Sequence, residues 1–144
     1  MKKITILMHC ILIYSCNTIN NKNTANNCDF YWDNRLKNKV FIKVDSSPYY
    51  KNGDPIEFLE DFTKEFRYPT QNDIQTKIVM EFIIDKKGKL LFPCIYQKKV
   101  NEYTEVDKEG LRTLSTMNIW VPGFCNGKKA NTKLIRSIRL ELRK

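Results

Sequence analysis

The run Met117-Asn118-Ile119-Trp120-Val121-Pro122-Gly123-Phe124-Cys125-Asn126-Gly127-Lys128 limits what this chain can fold into more than any other stretch. It lies between a helical pattern that ends near Met117 and an alternating pattern over residues 130–142. It holds a Trp, a Pro-Gly and an Asn-Gly in one connection. Proline fixes φ and glycine accepts positive φ, so both dipeptides form turns. An indole is too large an apolar surface to leave wet without cause. The expectation is a connection that doubles back twice and is fastened to a core by Trp120. No group in it is poised to react, so its role is read as structural.

The N-terminus is the next strong signal. Lys2 and Lys3 precede an apolar run over residues 4–14, broken only by Thr5 and His9. The run suits an export signal and falls well short of the ~20 residues that span a bilayer. It ends in Ile13-Tyr14-Ser15-Cys16, an aliphatic residue three before a cysteine and a small one directly before it. That pattern resembles the lipobox of bacterial lipoproteins and implies lipidation of Cys16, with residues 1–15 removed. Ordinary signal cleavage and an uncleaved anchor are the alternatives. Residues 16–29 are polar and without period, the composition of a flexible tether. Residues 30–44 are apolar enough to pack on the domain as an extension, with a strand expected over 39–44.

The 144 residues suit one domain, and 42% apolar with 12% aromatic side chains supply its core. Removing Lys2 and Lys3 from the 25 basic residues leaves 23 against 16 acidic ones, a mature charge of about +7. Pairs such as Lys86-Lys87, Lys98-Lys99 and Lys128-Lys129 are scattered, which reads as a solvated basic surface rather than a nucleic-acid site.

From residue 45 onward the chain reads as one folded unit. Asp54-Pro55-Ile56-Glu57 starts a helix with an N-cap, Pro at the first position and a capping box. Ile56, Leu59, Phe62 and Phe66 recur at helical spacing, and Tyr68-Pro69 stops the helix. Ile78, Met80, Phe82 and Ile84 alternate with Lys77, Glu81 and Asp85 as a strand. Asp85-Lys86-Lys87-Gly88 turns it into a return strand over 89–96, where Pro93 argues for an edge or a bulge. Thr104-Glu105-Val106-Asp107 caps a second helix with Val106, Leu111, Leu114 and Met117 inward and Gly110 in its middle. The last strand sets Leu134, Ile138, Leu140 and Leu142 on one face and Lys133, Arg139, Glu141 and Arg143 on the other. Arg136 falls on the apolar face. The expected fold is α+β: about three antiparallel strands with two helices on one face, in the order α-β-β-α-β.

This set resembles the C-terminal domain of TonB, the periplasmic energy transducer. The pieces that carry the resemblance are Phe66-Arg67-Tyr68-Pro69, the hairpin over 77–90 with Gly88, Val106-Asp107-Lys108-Glu109-Gly110-Leu111-Arg112, and the Trp120-Val121-Pro122-Gly123 and Asn126-Gly127 connection. The family has Gly where Thr76 stands, Ala where Gly110 stands and Met-Pro where Met117-Asn118 stands. A full transducer also has a membrane helix and a long Pro-rich spacer, which are not found here.

The resemblance implies recognition rather than chemistry. In such domains the last strand offers its edge to a receptor peptide, which adds as a further strand. Here that strand comprises Leu134, Ile135, Arg136, Ser137, Ile138, Arg139 and Leu140. Lys133, Arg139 and Arg143 would favour an acidic partner. The expected protein is a non-enzymatic, lipid-anchored periplasmic binding module for a peptide or an outer-membrane receptor segment, with no cofactor, no metal and no nucleic acid. The alternative is a component of TonB-dependent transport. The only histidine is His9, so no triad, Cys-His pair or His-metal site can be built, and the cysteines lack zinc spacing. Cys28, Cys94 and Cys125 remain after Cys16. A Cys94–Cys125 bridge is the pairing expected, with buried free thiols as the alternative.

Overall fold

The computed structural model describes residues 28–69 and 75–141. A five-stranded sheet forms the middle of the molecule in the order β1-β2-β9-β4-β5. Its strands are β1 (Asp29–Asp33), β2 (Asn38–Lys43), β4 (Gln75–Ile84), β5 (Leu90–Ile95) and β9 (Thr132–Glu141). Two helices, α1 (Pro55–Glu65) and α2 (Glu105–Thr116), cover one face. Two small ribbons complete the fold: β3 (Tyr49–Tyr50) with β6 (Trp120–Val121), and β7 (Gly123–Cys125) with β8 (Lys128–Ala130). The architecture is α+β, as expected. The sheet has five strands rather than about three, because 29–43 form a hairpin that joins it. Strands also precede α1 and follow α2, so the chain order is longer than α-β-β-α-β. No described helix is long and apolar enough to cross a membrane.

Alternation builds the core. Ile78, Met80, Phe82 and Ile84 on β4, with Ile138 and Leu140 on β9, are buried beneath Phe62, Phe66 and Leu114 of the helical layer. Gly110 lets α2 approach β4, since a Cβ there would stand 3.0 Å from the Ile78 Cδ1. The α1 face differs from expectation. Phe62 and Phe66 are buried and Phe58 packs beside them, whereas Ile56 and Leu59 point to solvent. Phenylalanines at 58, 62 and 66 lie one turn apart and pack in series, and Phe58 meets Tyr50 and Trp120.

The caps follow the sequence signals. Asp54 accepts from the Ile56 N–H at 2.8 Å, while Glu57 turns to Lys51 at 3.4 Å instead of closing a box. Thr104 and Asp107 do form a reciprocal box. Burial of Asp107 raises its pKa, but hydrogen bonds from Lys98 and Thr104 outweigh this and leave the carboxyl below its ordinary value.

The β1–β2 hairpin folds over the sheet face opposite the helices. Its turn places the Arg35 guanidinium 4.3 Å from the Phe92 ring centre, and Lys133 Nζ lies 5.8 Å from that of Tyr31. Val40 is fully buried there. The turn lacks glycine: Asp33 accepts from the Arg35 and Leu36 N–H groups, and Lys37 takes φ 47°. The Arg35 side chain also bonds Asp33 and holds its carboxyl at about 2, below the usual 3.8. With the folded pKa depressed, this stabilisation is present above about pH 4 and is lost as pH falls through about 2. Denaturant unfolding of wild type and Asp33→Asn at pH 5 and pH 2 checks this. The wild type is expected to lose more stability on acidification than the variant.

Candidate functional site: the open edge of the last strand

Strand β9 pairs with β4 antiparallel along its whole length, from Ile84↔Thr132 to Gln75↔Glu141. On its other side β2 runs parallel, yet meets it only at Phe41↔Thr132. Beyond that point β2 leads away: Asp45 and Ser46 hydrogen-bond to Phe124 of the β7–β8 ribbon. Among the described residues, β9 therefore has an unpaired edge from Leu134 onward.

Two hydrogen bonds fix which groups face that edge. The Phe41 N–H donates to the Asn131 carbonyl at 2.8 Å, so odd-numbered residues face β2. The Tyr96 N–H donates to the Val79 carbonyl at 2.8 Å, so odd-numbered β4 residues face β5 and even-numbered ones face β9. Both give the same answer. The main-chain N–H and C=O groups of Ile135, Ser137 and Arg139 point outward.

The other sheet edges are less suited to strand addition. Strand β5 carries Pro93, Phe92 at φ 51° and a register shift, all of which blunt an edge. Strand β1 is only five residues long and also shifts register, between Asp29 and Phe30. The register of β9 against β4 is unbroken.

Side chains alternate across the two faces of β9. Ile138 and Leu140 are buried on the helix side, and Leu134 is half-buried against the core. Arg136 shares their face but stays exposed. It lines a crevice of about 70 Å³ with Tyr49, Tyr50, Gly53, Asp54, Pro55, Phe58 and Trp120. Ile135, Ser137 and Arg139 are exposed on the opposite face. Neither Arg136 nor Arg139 forms an ion pair among the described residues. Lys133 pairs with Glu81 at 3.3 Å. Leu142 and Arg143 lie outside the described residues, as do His9 and Cys16.

Trp120 holds the wall of this crevice. Its indole N–H donates to the Met117 carbonyl at 2.8 Å, and its ring lies 5.3–5.7 Å from those of Phe82, Tyr50 and Phe58. Tyr50 is held in turn by Asp61, which accepts from its hydroxyl at 2.9 Å. Gly88 and Pro122 sit against the same loop. A Cβ on Gly88, at φ 82°, would stand 2.2 Å from the Trp120 carbonyl oxygen. Gly88→Ala is therefore expected to destabilise by about 2–4 kcal/mol, from strained φ plus the clash. A urea midpoint unchanged from wild type would contradict the contact. Gly123 is buried in β7, and Asn126-Gly127 make the β7–β8 turn with φ 50° and 72°. Tyr68 and Pro69 are apart from this group, with the Tyr68 ring edge-on to Phe66.

The disulfide differs from expectation. Cys125 is bonded to Cys28 with Cα atoms 6.1 Å apart, and Cys94 is free. Cys94 lies on β5, across the ladder from Glu81, while Cys125 lies in the β7–β8 ribbon beside the start of β1. Cys28 and Asp29 thus belong to the folded body rather than the tether. Asp45 lies near the bridge, placing three potential ligand atoms within 4.8 Å, but the bridge uses both thiols. Burial pushes the Cys94 thiol pKa up, which makes it a poor nucleophile.

Comparison with protein-family models, curated proteins and solved structures finds no match to this chain.

Proposed function

We propose that the protein is a non-enzymatic binding module of the TonB C-terminal-like kind, exported and lipid-anchored, which takes up an extended peptide along β9. The observation that carries this reading is the regular edge from Leu134 to Glu141, unpaired among the described residues, with the N–H and C=O groups of Ile135, Ser137 and Arg139 facing outward. A peptide laid there gains main-chain hydrogen bonds, each worth about 0.5–1.5 kcal/mol net. The neighbouring crevice supplies selectivity. A peptide side chain on the helix side would meet Trp120 and Tyr50 with Arg136 beside it, a setting for an apolar or acidic residue. The Cys28–Cys125 bridge supports an oxidising compartment, in keeping with export.

Photo-crosslinkers placed in turn at Ile135, Ser137 and Arg139 of the full chain, in its own cells, test the reading. The expected result is one protein adduct mapping to a short segment of the same partner from all three positions. Adducts only to glycan or nucleic acid, or scattered over unrelated proteins, would contradict it.

A further inference from the structure

We propose that the outward face of the β1–β2 hairpin is a docking surface for an anionic lipid bilayer. The cross-strand pairs Phe30↔Phe41 and Trp32↔Lys39 put these four side chains on one face, turned away from the sheet. Trp32 is 60% exposed and Phe30 49%, although Phe30 and Phe41 are in contact with ring centres 5.6 Å apart. Lys39 Nζ lies 4.1 Å from the centre of the Phe30 ring. Beside this aromatic group runs a groove of about 310 Å³ lined by Phe41, Ala130 and four lysines: Lys39, Lys86, Lys128 and Lys129. Of the nearby carboxylates, Asp45 accepts from the Asn126 N–H and Asp85 from the Lys87 and Lys89 N–H groups. None of the four lysines forms an ion pair among the described residues, which leaves them open to an outside anion.

Aromatic rings ringed by lysines match a membrane interface, where rings settle at headgroup depth and ammonium groups meet lipid phosphates. The position of Cys28 relative to the expected lipidation site selects this occupant over a nucleic acid or an acidic protein. Cys28 opens the hairpin and is tied by its disulfide to Cys125, which lines the same groove. Given the expected lipidation at Cys16, the eleven residues between Cys16 and Cys28 can span at most about 40 Å. The hairpin face is then held within one tether length of the headgroups. Strand β9 pairs in the ladder with the hairpin only at Thr132, so docking leaves the edge from Leu134 to Glu141 free among the described residues.

Tryptophan fluorescence tests this, because the chain has two tryptophans and Trp120 is only 6% exposed. The full chain is reconstituted in vesicles of phosphatidylcholine alone or of an equimolar mixture with phosphatidylglycerol, each with brominated acyl chains. In the anionic vesicles Trp32 emission is expected to shift to the blue and be quenched by bromine, and acrylamide quenching to fall several-fold. Phosphatidylcholine alone should leave Trp32 as accessible as in buffer. Charge reversal at Lys39, Lys86, Lys128 and Lys129, all exposed, should weaken the protection by about fivefold per lysine with the circular dichroism unchanged. A Trp32→Phe control should show no bromine quenching. Equal acrylamide access in both vesicles and in buffer would overturn the proposal. Protection already present in buffer would also overturn it, as another part of the chain or a second copy would then cover the face. So would protection by single-stranded nucleic acid matching that by anionic vesicles. Wild-type bromine quenching decides the matter even if the lysine variant fails to fold.

Discussion

Trp120→Ala is expected to destabilise the domain by about 3–5 kcal/mol, the range for removing a buried aromatic from a packed core. The substitution empties the space between Phe82, Tyr50 and Phe58, and it removes the donor to the Met117 carbonyl. Domains of this kind have a total stability of about 5–15 kcal/mol, so the variant should be marginal. A fall in Tm of at least about 10 °C follows from the usual unfolding entropy. Trp120→Phe should recover part of the loss, because a smaller ring can still meet Tyr50 and Phe82. Thermal unfolding followed by circular dichroism measures both. A loss under about 1 kcal/mol for the alanine variant would show that the indole does not fasten the loop.

Proline along β9 should separate binding from folding. The Ser137 N–H points to the open edge, so Ser137→Pro removes a donor that has no partner among the described residues, and its ring obstructs an incoming backbone. Peptide uptake is expected to fall on the order of 100-fold, with only modest loss of stability. Ile138→Pro is the counterpart. Ile138 faces β4 opposite Ile78 and is buried, so proline there should cost about 3 kcal/mol or more of folding stability. Crosslinking yield against urea midpoint, measured for both variants, distinguishes the two effects. Equal behaviour at 137 and 138 would contradict the assigned strand orientation.

The legible parts of the fold were those encoded in neighbouring residues. Alternation marks Ile78, Met80, Phe82 and Ile84 as one face, and Thr104 with Asp107 forms the box that their spacing implies. The hairpin turn at Gly88 and the Asn126-Gly127 turn needed only local chemistry. The missed parts depend on distant partners. Tyr49-Tyr50 is a strand because Trp120 and Val121 lie opposite, and two residues carry no period. The Cys28–Cys125 bridge joins positions 97 apart, which spacing cannot select among three cysteines. Helix α1 offered two apolar stripes, and the aromatic cluster around Trp120 chose Phe58 over Ile56. One missed element did leave a signal. Asp33 followed by Asn34-Arg35 is an Asx-turn start, and it closes the β1–β2 hairpin without glycine.

The candidate site was legible to a similar depth. Arg136 on the apolar face of the last strand was visible as an anomaly, and the structure gives it a place at the crevice beside Trp120. Which edge of β9 is open was not legible, since it follows from where β2 departs toward Phe124. The strand stands within a five-stranded sheet, yet most of one side is unpaired among the described residues.

Amide hydrogen exchange along β9, read residue by residue in the full chain before and after a crosslinked partner segment is attached, tests this account most directly. Alone, Ile135, Ser137 and Arg139 should exchange much faster than Arg136, Ile138 and Leu140, whose amides face β4. With the partner attached, the three fast amides should slow to the rate of their neighbours. Uniform slow exchange in the free protein, or fast exchange that the partner leaves unchanged, would contradict strand addition at this edge.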